Sequence, residues 1–248
     1  MTGLGDLAYP DLEALLADER PVVLLLPLGA LEPHGPHAPL ATDTLISVGI
    51  CERVAGRLEG DPEVRVLVLP PLPYGVTRYA AAFPGAVSIG EAALHATVVG
   101  ICESLSAQGV GRVVLVNSHL EPEQVRTLRD AVAELGGAVR LFDPTRRAVA
   151  AELTEEFRAG AGHAGRYETS LVLAENAGLV RRERMEGLES KMIDMPAAIA
   201  AGRTDFMAMG MDRAYSGAPA EATAEEGEGT FETLTELVIR LVREVAAC

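Results

Sequence analysis

The segment PVVLLLPLG (21–29) carries no charged residue and is closed by glycine. A run this short and rich in branched residues, with no polar alternation, reads as a strand buried on both faces. The same pattern returns in VRVLVLPPLP (64–73), RVVLVNS (112–118) and AVRLFDP (138–144). Between these runs the apolar spacing becomes helical, in TLISVGICERVAGRLEG (44–60), in EAALHATVVGICESLSAQG (91–109) and again up to about residue 135. A short helix is expected after Pro10, others over roughly 146–158 and 166–176, and an amphipathic one over 230–247. Residues 74–90 read as a long Gly/Pro loop, 180–220 as a mixed, loop-rich segment, and Glu221–Glu228 as the solvated entry to the last helix. Two-sided strands alternating with helices predict an α/β fold, a three-layer α/β/α sandwich around a mostly parallel sheet. No repeat or linker divides the chain, so residues 1–248 read as a single domain.

Composition narrows the function. With 48% apolar and 23% charged residues over 248 positions, the chain is long enough to bury a sizeable core. Lys+Arg 21 against Asp+Glu 36 gives a net charge of −15, which argues against nucleic acid and against anionic membranes as partners. No apolar run is long enough to span a bilayer, and the first twenty or so residues lack the basic start of a signal peptide. Three cysteines without a Cys-x-x-Cys pair fit a reducing, cytoplasmic setting, with Cys51 and Cys102 as small core residues. There is no Trp, and only 5 Tyr and 5 Phe, so a pocket that stacks a flat heterocycle has few rings to use.

Open α/β sheets place their sites at the carboxyl ends of the strands. Glu32, His34, His37 and Asp43 follow the first strand; Asn117, His119, Glu121 and Glu123 follow the third. In an extended segment, residues two apart point the same way, so Glu32-x-His34 and His119-x-Glu121 each present a carboxylate and an imidazole together. That mixed N/O set suits Zn²⁺ and Mn²⁺. Two such pairs and a bridging Asp hold two ions about 3.5–4 Å apart, the hydrolase separation. One Glu-x-His pair in a loop means little; two after two buried strands, with an Asp nearby, favour a metal centre. His95 lies in a helical pattern and reads as structural, and His37 reads either as part of the site or as a turn hydrogen bond.

At these residues the sequence resembles the creatininase family. LLLPLGALEPHGPHAPLATDTLIS resembles its first signature, PPLPYGVTRYAAAFPGAVSIG the second, VVLVNSHLE the third, GHAGRYETSLVLAENAGLV the fourth and SGAPAEATAEEG the last, in order over residues 21–227. The resemblance implies an amidohydrolase with two divalent ions, Zn²⁺ or Mn²⁺, on an α/β/α sandwich. It places metal ligands at Glu32, His34, Asp43, His119 and Glu121. One ion takes Glu32, Asp43 and His119, the other His34, Asp43 and Glu121, and Asp43 bridges. His163 falls on the histidine that carries a proton to the leaving nitrogen, against the plainer reading of a helix cap. Glu168 is either a ligand or a support for one. The resemblance also implies a homo-oligomer, often a hexamer; by its composition the Met- and Ala-rich segment 180–220 reads as an interface or equally as a core flap.

The departures concern the pocket. The Ser-x-Glu-His of the second signature is Thr77-Arg78-Tyr79-Ala80 here, so Arg78 and Tyr79 replace two polar groups and become candidate substrate contacts; Arg78 reads equally as a surface residue. With no tryptophan to hold a flat ring, creatinine itself is not the expected substrate. The expected activity is hydrolysis of a C–N bond in a small amide, cyclic amide or formamide. The alternative is a catalytically silent relative acting as a binding or scaffold protein, against which the five retained ligand positions count. A phosphatase is disfavoured because no Gly-rich phosphate cradle is present.

Overall fold

The computed structural model describes residues 3–248. The chain runs α1 (Tyr9–Leu16), β1 (Val22–Leu28), α2 (Thr42–Arg57), β2 (Arg65–Val68), α3 (Glu91–Ala107), β3 (Val113–Asn117), α4 (Pro122–Leu135) and β4 (Val139–Phe142). It continues through the short α5 (Arg147–Ala150) and α6 (Glu155–Arg158), then α7 (Arg166–Asn176), α8 (Arg182–Glu186), α9 (Met195–Ala200) and the long α10 (Ala224–Ala246).

Every residue of β1 is buried. Successive side chains of a strand point to opposite faces, and here both faces are covered. Val23 and Leu25 join Val114 and Val116 in one core, against α2, α7 and α10. Leu24 and Leu26 join Val113 and Leu115 in the other, against α3 and α4. Each such fully buried side chain contributes about 1.5–3 kcal/mol relative to exposure. The result is the expected α/β/α sandwich. All four strands pair in parallel in the order β2-β1-β3-β4, with Leu24 opposite Val113 and Val22 opposite Arg65.

That order positions the site. The chain winds from β1 outward to β2, then returns past β1 to β3 on the other side. The crevice outside the carboxyl ends of two strands at such a reversal is where open α/β sheets receive ligands. The loops after β1 and β3 meet there.

Three elements differ from the sequence reading. The second strand stops at Val68, because Pro70 and Pro71 cannot continue a ladder; only an isolated bridge from Leu28 to Leu72 follows. The helix expected over 146–158 is broken into α5 and α6, because the Thr154 hydroxyl accepts from Phe157 N and starts a new helix. The last helix begins earlier, capped by Thr223 through Glu226 N, so much of the acidic entry forms its first turns. Acidic side chains are favoured there by the helix dipole.

In the 180–220 segment, Ala198, Phe206, Met209 and Met211 are buried against Tyr79 and Ala80, whereas Met192 and Met207 remain exposed. Much of the segment is thus a flap over the 74–90 loop, tied to it by Phe206 N donating to the Tyr79 carbonyl. Among the described residues no helix is long and apolar enough to cross a membrane.

Candidate metal centre

Gly29 ends β1 and lets the start of α2 close on it: a Cβ at this position would lie 2.5 Å from Thr44 N. Asp43, in the first turn of α2, is thereby brought to the carboxyl end of the sheet. Glu32 and His34 arrive on the segment after β1, His119 after β3, and Glu168 in the first turn of α7.

These side chains converge on Asp43. Its Oδ1 lies 3.1 Å from His34 Nε2, and its Oδ2 lies 3.1 Å from His119 Nδ1. Glu32 Oε1 stands 3.1 Å from the same His119 nitrogen, and Glu168 Oε2 stands 3.4 Å from His34 Nε2. Two triads on Asp43 result, Glu32–Asp43–His119 and His34–Asp43–Glu168, and a third group, Glu32–His34–His163, lies beside them, each with one ligand atom per residue within 4.8 Å of the others. Glu32, His34, Asp43 and His119 are at most 3% exposed.

Backbone carbonyls fix the two imidazoles. A carbonyl only accepts, so His119 Nε2 donates to Val76 O at 2.7 Å and His34 Nδ1 donates to Glu32 O at 3.0 Å. In the neutral ring this leaves a lone pair on His119 Nδ1 and on His34 Nε2, the two atoms that face the carboxylates. Thr77 Oγ1 donates to Glu32 Oε2 at 2.5 Å, turning Oε1 inward. Asn117 Nδ2 holds the carbonyl of His119 at 2.6 Å, and Gln124 accepts from Val76 N at 2.9 Å, so the loops bearing the ligands brace one another.

The arrangement needs positive charge. His34 Nε2 and Asp43 Oδ2 are buried without a hydrogen-bond partner. Burial opposes a charge on His34, but Asp43, Glu168 and Glu32 outweigh it and push its pKa up to about 10. His119 is likewise held well above the usual range by Glu32 and Asp43 despite burial. Burial pushes Glu168 up to about 8. Three buried carboxylates crowded around two inward imidazole nitrogens are the donor set of divalent metal ions, and the unpartnered atoms are those such ions would engage.

Glu121 departs from the expected ligand set. It belongs to neither Asp43 triad; its carboxylate accepts from Arg78 N at 2.8 Å and from Tyr79 N at 3.0 Å, while Glu168, expected as a ligand or a support for one, completes the second triad. The reason is local: the 74–90 loop presents two adjacent amides that satisfy a carboxylate directly. Arg78 also departs. Its guanidinium is half exposed and pairs with Glu91 at 3.1 Å on the start of α3, so only its backbone reaches the site. Tyr79 is buried and lines the cavity beside Glu121.

His163 stands over the centre. Its Nε2 donates to Pro33 O at 3.1 Å, its Nδ1 lies 3.7 Å from Glu32 Oε1, and its ring packs at 4.5 Å from His34 and 4.6 Å from Phe206. Burial, with the nearby His34, pushes it down to about 4. Ala164 beside it has φ 49°, a left-handed conformation costly for a residue with a Cβ, and its N–H is held by Glu168 Oε2 at 2.7 Å. His37 is tied to Thr169 Oγ1 at 2.8 Å and supports the site from behind.

Three supports escape the sequence reading. Thr77 appears there only as part of a departure, yet it holds Glu32. Gln124 sits inside a helix with no visible signal. Glu156, nearly buried, accepts from Tyr167 N at 2.7 Å and Ala218 N at 2.6 Å and so anchors the start of α7. Only the two loops that share these bonds show why a Gln and a Glu belong there.

The centre opens into a cavity of about 480 Å³ lined on one side by Glu32, Asp43, His119 and Glu121. Its other walls are largely apolar, with Phe157, Met195, Ile199 and Phe206. The volume suits a small-molecule ligand.

A family model described as creatininase (creatinine amidohydrolase) matches residues 5–242. The chain belongs to the creatininase family. It is 32% identical to a creatinine amidohydrolase of Pseudomonas putida, over 97% of this chain and 96% of that protein. It is also 32% identical to a mycofactocin precursor peptide peptidase of Mycobacterium ulcerans, over 89% of this chain and 84% of the other. A solved creatininase mutant complexed with creatine superposes with a TM-score of 0.77 at 28% identity, covering 98% of both chains. A manganese form of creatininase superposes with a TM-score of 0.74 at 27% identity, again over 98% of both. Creatininase family members are metal-dependent amidohydrolases, and this chain is a hydrolase of that family. Its relatives act on substrates as different as creatinine and a precursor peptide.

Proposed function

We propose that this protein hydrolyses the C–N bond of a small amide other than creatinine, using two divalent ions held on one shared aspartate. The observation that carries the reading is the pair of buried triads around Asp43, with His34 Nε2 and Asp43 Oδ2 making no hydrogen bond beside an open cavity. In this reading Glu32, Asp43 and His119 would hold one ion, and His34, Asp43 and Glu168 the other. Bound there, divalent zinc or manganese lowers the pKa of water and polarises an amide carbonyl.

The chain's own groups handle the protons. His163 is neutral near pH 7, and with its Nε2 proton engaged by Pro33 it offers the Nδ1 lone pair to the centre. It accepts a proton there and delivers it to the leaving nitrogen, which an amide needs before its C–N bond breaks. Glu121 faces the same cavity with its carboxyl raised by burial, a proton acceptor fixed in place by the Arg78 and Tyr79 amides. Phe206 and the apolar walls exclude water from the reacting face. The absence of tryptophan leaves no indole to stack creatinine. A homo-oligomer in the cytoplasm remains the family-based expectation; gel filtration with light scattering distinguishes it from a monomer.

The test is to measure bound metal in the purified protein and then to assay amides, formamides and short peptides with Zn²⁺ or Mn²⁺ supplied. The reading expects two ions per chain and metal-dependent release of an amine. A protein that binds no ion, or hydrolyses creatinine above about 10 s⁻¹, overturns it.

A further inference from the structure

One of the two arginines that line the cavity has no carboxylate partner among the described residues. Arg158, the last residue of α6, lines it together with Phe157 and Ile199. Its Nη1 donates to the Leu153 carbonyl at 2.6 Å, which steers the guanidinium. Among the described residues no carboxylate pairs with it. The other arginine on the cavity, Arg129, is spent: its Nη2 lies 2.6 Å from the buried carboxylate of Asp143. Arg158 is exposed and lines the cavity without an acidic partner, in a chain of net charge −15.

We infer that Arg158 is a specificity residue that receives a carboxylate on the substrate, so that the preferred substrate is an amide with an apolar body and a free carboxylate, as in an N-acyl amino acid or a peptide end. The inference rests on the hydrolytic reading above for the amide and on Arg158 itself for the anion. One guanidinium offers a planar fork that matches a carboxylate in bidentate fashion. A phosphate, with a charge near −2, would call for a second free cation, and Arg129 is already neutralised by Asp143. The apolar walls set by Phe157 and Ile199 leave the body of the substrate uncharged.

The probes are hippurate, an N-acyl amino acid, and hippuramide, its neutral amide of nearly the same shape. Affinity for each is measured by calorimetry on the Mn²⁺-loaded protein. The wild type is expected to prefer hippurate by about tenfold or more, the scale of a charge-assisted hydrogen bond. Arg158→Gln is expected to abolish the preference and Arg158→Lys to keep part of it. Arg240→Gln, which removes the same charge from a surface pair with Glu152, is expected to leave it intact. No preference in the wild type overturns the inference. So does an undiminished preference in Arg158→Gln, since the carboxylate would then be sitting on the ions. A turnover screen keeps the two readings apart. Preference for hippurate without hydrolysis of any amide sinks the hydrolytic reading alone; hydrolysis of neutral amides without carboxylate preference sinks the Arg158 reading alone.

Discussion

The Thr77 hydroxyl donates to Glu32 Oε2 at 2.5 Å, while Glu32 Oε1 faces His119 Nδ1 at 3.1 Å. One oxygen of the carboxylate is thereby committed to the protein and the other is presented to the triad. Groups that orient a ligand in this way commonly change metal affinity ten- to a hundredfold when removed. Thr77→Val keeps the shape and loses the donor, so it is expected to weaken one ion by about that factor, while Thr77→Ser retains affinity. Competition with a chelator reads the difference, and equal affinity in Thr77→Val and wild type refutes the role.

Asp43 differs from the other acids in serving both triads, Oδ1 toward His34 and Oδ2 toward His119. Asp43→Asn is close in shape but cannot carry the charge that bridges two cations. It is expected to hold fewer than two ions per chain and to lose activity by several orders of magnitude. Elemental analysis after gel filtration decides: two ions retained in the mutant would show that Asp43 does not bridge.

Protons and metals compete for the same atoms. In the metal-free protein the raised pKa of His34, about 10 against an ordinary 6.5, keeps its ring protonated near neutrality. Metal uptake therefore releases protons, and affinity is expected to rise with pH between about pH 6 and pH 8. Stability moves the other way. A group whose folded pKa is raised stabilises fully below its unfolded value, and that contribution is lost as pH rises through the folded one. His34, raised to about 10, and Glu168, raised to about 8, share this sign. The metal-free Tm is expected to fall between about pH 7 and pH 9, and the metal-loaded Tm to stay nearly flat. Differential scanning fluorimetry with EDTA or Mn²⁺ tests this, and a rising metal-free Tm would refute it.

The sheet was readable because buried parallel strands are apolar on both faces; Val22–Leu28 and Val113–Asn117 announce themselves by composition alone. Glu32, His34, Asp43 and His119 were readable because strand ends concentrate chemistry and because their spacing is short. Glu168, beside His34, was legible only through the family resemblance and not from spacing. Glu168 lies 125 residues from Asp43 along the chain, and only the packing of α7 on α2 and α10 brings it in. Glu121 sits at the expected spacing, but spacing does not reveal the two amides of Arg78 and Tyr79 that capture it. Arg78 shows the same limit: its partner Glu91 lies on another element, and charge in a loop says nothing about which side the chain turns.

Glu168 depends on a close helix crossing, which supplies the last prediction. Gly227 of α10 lies against α7 so tightly that a Cβ would stand 1.9 Å from Ser170 O and 2.8 Å from Ala174 Cβ. No side-chain rotation relieves a contact with backbone, so Gly227→Ala must push α10 off α7. Overpacking of this kind costs about 1–3 kcal/mol, or a Tm lower by roughly 2–4 °C per kcal/mol in a chain of this size. Because Ser170 follows Glu168 by half a turn, the shift is expected to disturb the ion held by His34, Asp43 and Glu168 more than the one held by Glu32, Asp43 and His119. Gly229→Ala on the same helix has open space around its Cβ. It is expected to be neutral or to stabilise by up to about 1 kcal/mol through helix propensity. Thermal melts and metal titration of both variants check the argument. If Gly227→Ala melts no lower than Gly229→Ala, the α7–α10 contact does not constrain the site.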